Sequence, residues 1–261
     1  MEPAEQAGAG FGKMAEDRKG SVFEGRRALV IGGSGGIGAS LAMGLALRGA
    51  SLLVHGLSPG KVEDQVRSIE KAGGKAQGLA HDIDGLSSIL SALEPFGDFD
   101  ILVVAFGPFV RKPFAAHTPA DWEKVAMLDL ALPGALASRY FPAMCDKAFG
   151  RILFLGGTRT DVIRGFTSNA AYAAAKTGLG VLAKSIAIEG APHNVAAVTV
   201  CPGLVRTEYI GPEESLVLSR MAPGGKLSDP ADMAAIALGL LDGDPCIASG
   251  AIVSLDAGFS P

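Results

Sequence analysis

The sequence predicts an α/β fold: one doubly wound domain, a parallel seven-stranded sheet with helices on both faces. Three observations predict it. Short aliphatic runs alternate with longer stretches of helical periodicity from residue 27 to residue 255. The aliphatic runs are near-continuous rather than alternating with polar residues, as in strands buried under helices on both sides. A glycine-dense turn joins the first run to the first helical stretch, and repeated strand–helix–strand units wind right-handedly into a parallel sheet.

In chain order, residues 1–24 mix Gly, Ala, Glu and Lys with no strand or helix period and no apolar targeting core. A mobile N-terminal extension is expected there, with the domain occupying 25–261. The first strand is expected at 27–31 (Arg-Ala-Leu-Val-Ile) and the first helix at 36–48, where Leu41 and Leu45 recur at helical spacing, as do Ala42 and Ala46. Further strands are expected at 51–55, 75–80, 100–105, 151–155, 195–200 and 251–255, and helices at 59–72, 85–94, 120–146, 168–190 and 229–242. Residues 204–225 have no clear structure; a loop that long in a compact domain points to a lid. No internal repeat or second domain is visible.

Composition narrows the function. The chain has 261 residues, 48% of them hydrophobic, enough for one sizeable domain, and a formal charge of −4. A slightly acidic chain without a basic stripe is not a nucleic-acid binder. Cys145, Cys201 and Cys246 are widely separated and form no metal-ligand spacing; no metal is expected, and the reducing cytoplasm fits best. Residues 28–47 carry no charge and are long enough to span a bilayer, but six glycines and two serines interrupt them, so no membrane span is expected.

The turn Gly32-Gly33-Ser34-Gly35-Gly36-Ile37-Gly38 matches several motifs. Gly33, Gly35 and Gly38 spell G-x-G-x-x-G; Gly32, Gly36 and Gly38 spell the looser G-x-x-x-G-x-G. Gly32 to Gly36 also spell the G-x-S-x-G elbow of a serine hydrolase, but Ser34 lies on the first strand, whereas the elbow normally follows several earlier strands. A P-loop needs Lys where Ala39 stands. A strand–turn–helix–strand context favours a dinucleotide diphosphate on backbone N–H groups at a helix N-terminus. The second strand runs into His55-Gly56-Leu57-Ser58, with neither the acid that holds the ribose of NAD nor the Arg that accepts the extra phosphate of NADP. Because an acid would repel that phosphate, NADP(H) is preferred and NAD(H) stays open, with Ser58 and Lys61 as modest donors.

Tyr172 and Lys176 stand at i, i+4 on a helical stretch, so both side chains share one face. Tyrosine ionises near pH ~10. A neighbouring ammonium and the positive ring of an oxidised nicotinamide are expected to draw it toward the working range of a general acid/base.

These residues resemble the short-chain dehydrogenase/reductase family, a Rossmann fold, over about 25–260. The resemblance rests on Gly32-x-x-x-Gly36-Ile37-Gly38, Asp82-Ile83 after the third strand, Tyr172-x-x-x-Lys176, Pro202-Gly203-Leu204-Val205-Arg206-Thr207, and Ser249-Gly250 with Asp256-Ala257-Gly258. It implies hydride transfer between a nicotinamide and a carbonyl or alcohol carbon of a small molecule, with Tyr172 as acid/base and Lys176 as its tuner. The glycine turn, Ser34 and Gly35 included, would hold the diphosphate, Asp82 with Ile83 the adenine, and Thr207 with the Val205 backbone the nicotinamide amide. Pro202, Gly203, Leu57, Ser58 and Gly107 complete the expected cofactor set. A homotetramer is the family default; the Ala/Leu-rich faces of 120–146 and 168–190 also allow a homodimer.

Three departures from the family pattern stand out. Its Asn-Asn-Ala-Gly reads Val104-Ala105-Phe106-Gly107, which keeps only the glycine. Its helix Asn aligns with Asp129, whose charge would raise the lysine's pKa. Thirteen residues before Tyr172, where the family carries a serine, stands Arg159; Thr158, or else Thr160, would supply the hydroxyl. The missing serine and Asp129 also motivate a second reading, a cofactor-binding sensor or scaffold that has lost turnover. Phe106, Phe109 and Tyr209 are expected to line an apolar substrate pocket.

Overall fold

The structure is a computed structural model and describes residues 20–259. Strands β1 (Arg27–Ile31), β2 (Ser51–Gly56), β3 (Lys75–Ala80), β4 (Ile101–Val104), β5 (Gly150–Leu155), β6 (Val195–Pro202) and β7 (Ile252–Leu255) form one sheet in the order β3-β2-β1-β4-β5-β6-β7. Every pairing is parallel, with Val30 of β1 opposite Val54 on one side and Val103 on the other. The expected seven-stranded doubly wound sheet is the one observed.

Strand composition explains the two layers. Ala28 and Val30 of β1 face one core and Leu29 and Ile31 the other; Ile101 and Val103 of β4 divide from Leu102 and Val104 in the same way. Both faces are therefore apolar, and each takes helices. Helices α1 (Gly36–Leu47), with buried Leu41 and Leu45, and α8 (Pro230–Gly239), with Ala234, Ala237 and Leu238, cover the first face. Helices α3 (Leu86–Leu93), α5 (Leu132–Asp146) and α6 (Ala170–Gly190) cover the second. Helix α2 (Pro59–Lys71) packs beside β3, α4 (Pro119–Ala126) precedes α5, and α7 (Pro212–Met221) lies between β6 and α8.

The structure revises three expectations. Phe23 is fully buried, and Ser21 and Val22 both donate to the Asp242 carboxylate, so residues 21–23 pack on the domain. Residues 1–19 of the expected extension lie outside the described residues. The single helix expected at 120–146 is interrupted by a π turn at Met127–Ala131, closed by a bond from the Leu132 N–H to the Met127 carbonyl. Pro133 has no N–H for the Asp129 carbonyl four residues back, which breaks the α ladder there. The segment 204–225 contains α7, which buries none of its side chains and so leaves no hydrophobic period to read. Its start does carry local signals: Pro212 in the first turn with Glu213 and Glu214 behind it.

Candidate active site

The sheet order reverses between β1 and β4, and in an open parallel sheet the crevice at the carboxyl ends of such strands is where ligands bind. The glycine turn leaves β1 at this point. Gly32 has φ +75, and a Cβ there would stand 2.6 Å from the Ala105 carbonyl oxygen; one on Gly38 would stand 2.1 Å from the Gly32 oxygen. These positions are closed to any side chain, and the turn opens its backbone to the crevice.

His55 holds the turn from behind. Its Nε2 donates to the His81 carbonyl at 3.0 Å, which leaves Nδ1 to accept the Gly32 N–H at 3.5 Å, while the His55 carbonyl accepts from Gly33 at 2.8 Å. Burial lowers the His55 pKa to about 4, so the ring stays neutral and can accept. Sequence reasoning gave this histidine no role; a lone histidine inside a buried aliphatic strand was the available signal.

A groove of about 620 Å³ runs from the turn to Tyr172 and Lys176. Gly32, Ser34, Gly35, Gly36, Ile37 and Gly38 line one end, with Leu57, Ser58 and Lys61; Phe106, Gly107, Pro202 and Thr207 line it further along. Asp82 and Ile83 share an adjoining hollow with Leu57, Phe106 and Gly107. Val205 is buried, bridged to Ser228, and Gly203 donates to the Leu255 carbonyl. Most of the expected cofactor residues therefore meet along one surface, in an elongated, glycine-floored shape that suits a dinucleotide.

At the other end, Lys176 Nζ donates to the Phe106 carbonyl at 3.1 Å and lies 3.0 Å from Asp129 Oδ1. Asp129 is fully buried, and its Oδ2 has no hydrogen-bond partner among the described residues. Burial lifts the Asp129 carboxyl to about 6 against the opposing pull of Lys176, and burial lowers Lys176. Gly107, at φ +143, makes room for the pair: a Cβ there would stand 1.8 Å from Asp129 Oδ1. Tyr172 is raised rather than lowered, first by burial and then by the Asp129 charge. Burial of the phenol, with the Asp129 charge added to it, outweighs the downward pull expected of the lysine.

The hydroxyls fall differently from expectation. A Cβ on Gly157, at the end of β5, would stand 3.0 Å from the Tyr172 hydroxyl oxygen and 2.7 Å from Cε1. The residue facing the phenol is thus Gly157, a position reached by counting forward from the strand and missed by counting back from Tyr172. Arg159 is exposed, at φ 63. Thr160 is buried and turned into its own loop, its Oγ1 accepting the Gly157 N–H at 2.8 Å. Thr158 Oγ1 makes a long 3.4 Å bond to the Gly203 carbonyl.

Of the expected substrate residues, Phe109 stacks edge-on against Tyr172 at 4.9 Å, and Phe106 lies by its carbonyl over Lys176 and by its ring near His55. Tyr209 lines the same groove at its glycine-turn end. It sits on the glycine turn, where a Cβ at Gly35 would meet its hydroxyl oxygen at 2.0 Å, and Lys61 Nζ lies 4.8 Å from its ring centre. Its neighbour Glu208 accepts the Gly36 N–H with both carboxylate oxygens at 3.1 Å. Nothing in the sequence marked Glu208.

A doubly wound sheet with a glycine cradle at its reversal point and a Tyr–Lys pair along the same groove defines a dinucleotide-dependent oxidoreductase. The sequence profile of the short chain dehydrogenases matches residues 26–215. The chain belongs to the short-chain dehydrogenase/reductase family and is an NAD(P)-dependent oxidoreductase acting on hydroxyl or carbonyl groups. It is 30% identical over 248 residues to a 2-dehydro-3-deoxy-D-gluconate 5-dehydrogenase of Formosa agariphila, covering 90% of this chain and 93% of that one. A 3-oxoacyl-(acyl-carrier-protein) reductase of Escherichia coli is 30% identical over 220 residues, covering 81% and 88%. The solved structure of a 3-oxoacyl (acyl-carrier-protein) reductase from Agrobacterium tumefaciens C58 with NADP bound matches with a TM-score of 0.81 and 30% identity, over 90% of this chain and 95% of that one. Among the described residues no helix is long and apolar enough to cross a membrane, and no cluster of side chains could hold a metal.

Proposed function

We propose that the protein is an NADP(H)-preferring reductase of apolar or flat carbonyl compounds, with Tyr172 as proton donor to the substrate oxygen. The observation that carries this reading is the placement of Tyr172 and Lys176 along the groove that begins at the glycine cradle. The turn from Gly32 to Gly38 holds the diphosphate, Asp82, Ile83 and Leu57 flank the adenine, and Gly107, Pro202, Gly203, Val205 and Thr207 hold the nicotinamide end. A dinucleotide held there would supply hydride to the carbonyl carbon, or take it up in the reverse direction.

The chain's own residues manage the proton. Tyr172 carries its proton at neutral pH, as any phenol does, and is placed to donate it to the substrate oxygen. Lys176, fixed between the Phe106 carbonyl and Asp129, is ready to stabilise the phenolate left behind. With Gly157 opposite the phenol, the next hydroxyl along the chain is that of Thr158, which is bonded to the Gly203 carbonyl at 3.4 Å. Phe109 beside Tyr172 and Phe106 behind it form the apolar wall.

The NADP preference rests on the absence of a carboxylate at Leu57 and Ser58 and on Lys61 in the groove. A cytoplasmic setting accords with three free thiols. A homotetramer or homodimer accords with Val181 and Ile188, 66% and 81% exposed on one face of α6; a monomer by light scattering would refute it.

The test of function follows nicotinamide absorbance with NADPH and a panel of ketones, quinones and 3-oxoacyl thioesters. Tyr172→Phe is expected to lower turnover by about 10²–10⁴-fold while NADPH still binds. Equal turnover in the variant would refute the role of Tyr172. Binding without turnover across the panel would instead support the sensor reading, which Gly157 opposite Tyr172 favours.

A further inference from the structure

We propose that Glu208 and Tyr209 are a built-in competitor for the diphosphate cradle, so that this arm must leave the glycine turn before the dinucleotide binds. The inference rests on the dinucleotide reading of the turn.

Three contacts place the arm there. Both oxygens of the Glu208 carboxylate accept the Gly36 N–H at 3.1 Å, at the start of a twelve-residue helix. That N–H is one of the unpaired donors which, with the positive end of the helix dipole, make the turn an anion site. A carboxylate is an anion with oxygen acceptors, and it stands where a phosphate would be received. Second, the Tyr209 hydroxyl covers Gly35 so closely that a single added carbon at Gly35 would lie 2.0 Å from it and 2.4 Å from Glu208 Oε1. The bare backbone face of the turn is taken up by the arm. Third, Lys61 Nζ lies over the Tyr209 ring at 4.8 Å, so the cation available to a bound phosphate is also engaged by the arm.

The arm is suited to moving. Glu208 and Tyr209 are exposed, Tyr209 by 64%, and they lead into α7, which buries none of its side chains against the domain. Upstream, by contrast, Val205 is buried and bridged to Ser228. Arg206 is pinned as well, its N–H donating to the Ser228 carbonyl and its guanidinium pairing with Asp229, so the hinge falls at Thr207.

A ligand that binds only the open form has its apparent affinity reduced by the fraction of molecules that are open. Charge-assisted hydrogen bonds to backbone N–H groups are among the stronger ones. Removing the Glu208 charge is therefore expected to tighten dinucleotide binding by about tenfold or more.

The experiment is titration of the intact protein with NADPH and NADH, followed by nicotinamide fluorescence, for wild type, Glu208→Gln and Glu208→Asp. The expected result is tighter binding of both dinucleotides in Glu208→Gln, which lacks the charge, and a smaller gain in Glu208→Asp, which keeps a carboxylate on a shorter stem. Hydrogen exchange gives the second readout: NADPH should speed exchange at residues 208–210 of the wild type as the arm is displaced. Unchanged or weaker binding in both variants, or slower exchange at 208–210 on NADPH addition, overturns the proposal while leaving the dinucleotide reading intact. Failure of wild type and variants alike to bind either dinucleotide overturns both.

Discussion

Gly38→Ala adds one carbon at the most crowded point of the cradle. The new Cβ would stand 2.1 Å from the Gly32 oxygen, 2.9 Å from its carbon and 3.1 Å from the Ala105 Cβ. Carbon–oxygen contacts need about 3.3 Å, so α1 and the turn must separate by roughly 1 Å. The nearest atoms are backbone, which cannot rotate away. Overpacking of this kind costs about 1–3 kcal/mol, and the upper end applies here; the helix-propensity gain of alanine returns about 1 kcal/mol. A net loss of about 2 kcal/mol lowers the melting temperature by about 4–8 °C in a domain of this size. The displaced turn should also weaken NADPH binding by about tenfold or more, since a 1 Å misplacement spoils several N–H contacts together. Gly60→Ala is the matched control: it also lies in the first turn of a helix, but nothing stands within 4 Å of its added Cβ. That variant should melt about 1–4 °C higher and bind NADPH like wild type. Differential scanning fluorimetry and a fluorescence titration read both effects. If the two alanines behave alike, the reasoning from close approach fails.

Arg151→Met removes a fully buried guanidinium that donates to the Leu241, Asn194 and Gly243 carbonyls and to Asn194 Oδ1. Leaving those acceptors unpaired costs about 3 kcal/mol or more, and a melting temperature within 2 °C of wild type, against an expected fall of about 6 °C, would contradict this. Asp129→Asn tests the buried carboxyl. Its pKa of about 6 is raised above the unfolded value, so its contribution to stability is present at low pH and is lost as pH rises through 6. Wild type should therefore lose melting temperature relative to the variant between pH 4.5 and 7, and parallel curves would sink the idea. Lys61→Ala should lower the NADPH-to-NADH affinity ratio by about tenfold, the worth of one charge-assisted phosphate contact; an unchanged ratio would place the discriminator elsewhere.

The sheet was legible because each of its central strands is apolar on both faces, so Ala28-Leu29-Val30-Ile31 and Ile101-Leu102-Val103-Val104 read as strands without any partner in view. The edge strand β3 (Lys-Ala-Gln-Gly-Leu-Ala) has little apolar character and buries none of its residues fully. Helix α7 escaped notice because a helix that buries nothing has no stripe to read. The π turn at 127–131 depends on Pro133 acting four residues upstream, a local cause that hydrophobic period does not register.

The sequence by itself determined the seven strands, the glycine cradle and the Tyr172–Lys176 pair, because each follows from spacing within one short segment. Tertiary structure alone decided what meets those segments from elsewhere in the chain. It set His55 behind the turn, Asp129 against Lys176 and Gly157 opposite Tyr172, and it laid Glu208 on the Gly36 N–H across 172 positions of sequence. Such contacts join residues with no period in common, and burial then reverses what sequence spacing implies about charge. The tyrosine expected to be drawn down by the lysine is held up instead, first by its burial and then by Asp129, a carboxylate that only the fold brings within 3.0 Å of Lys176.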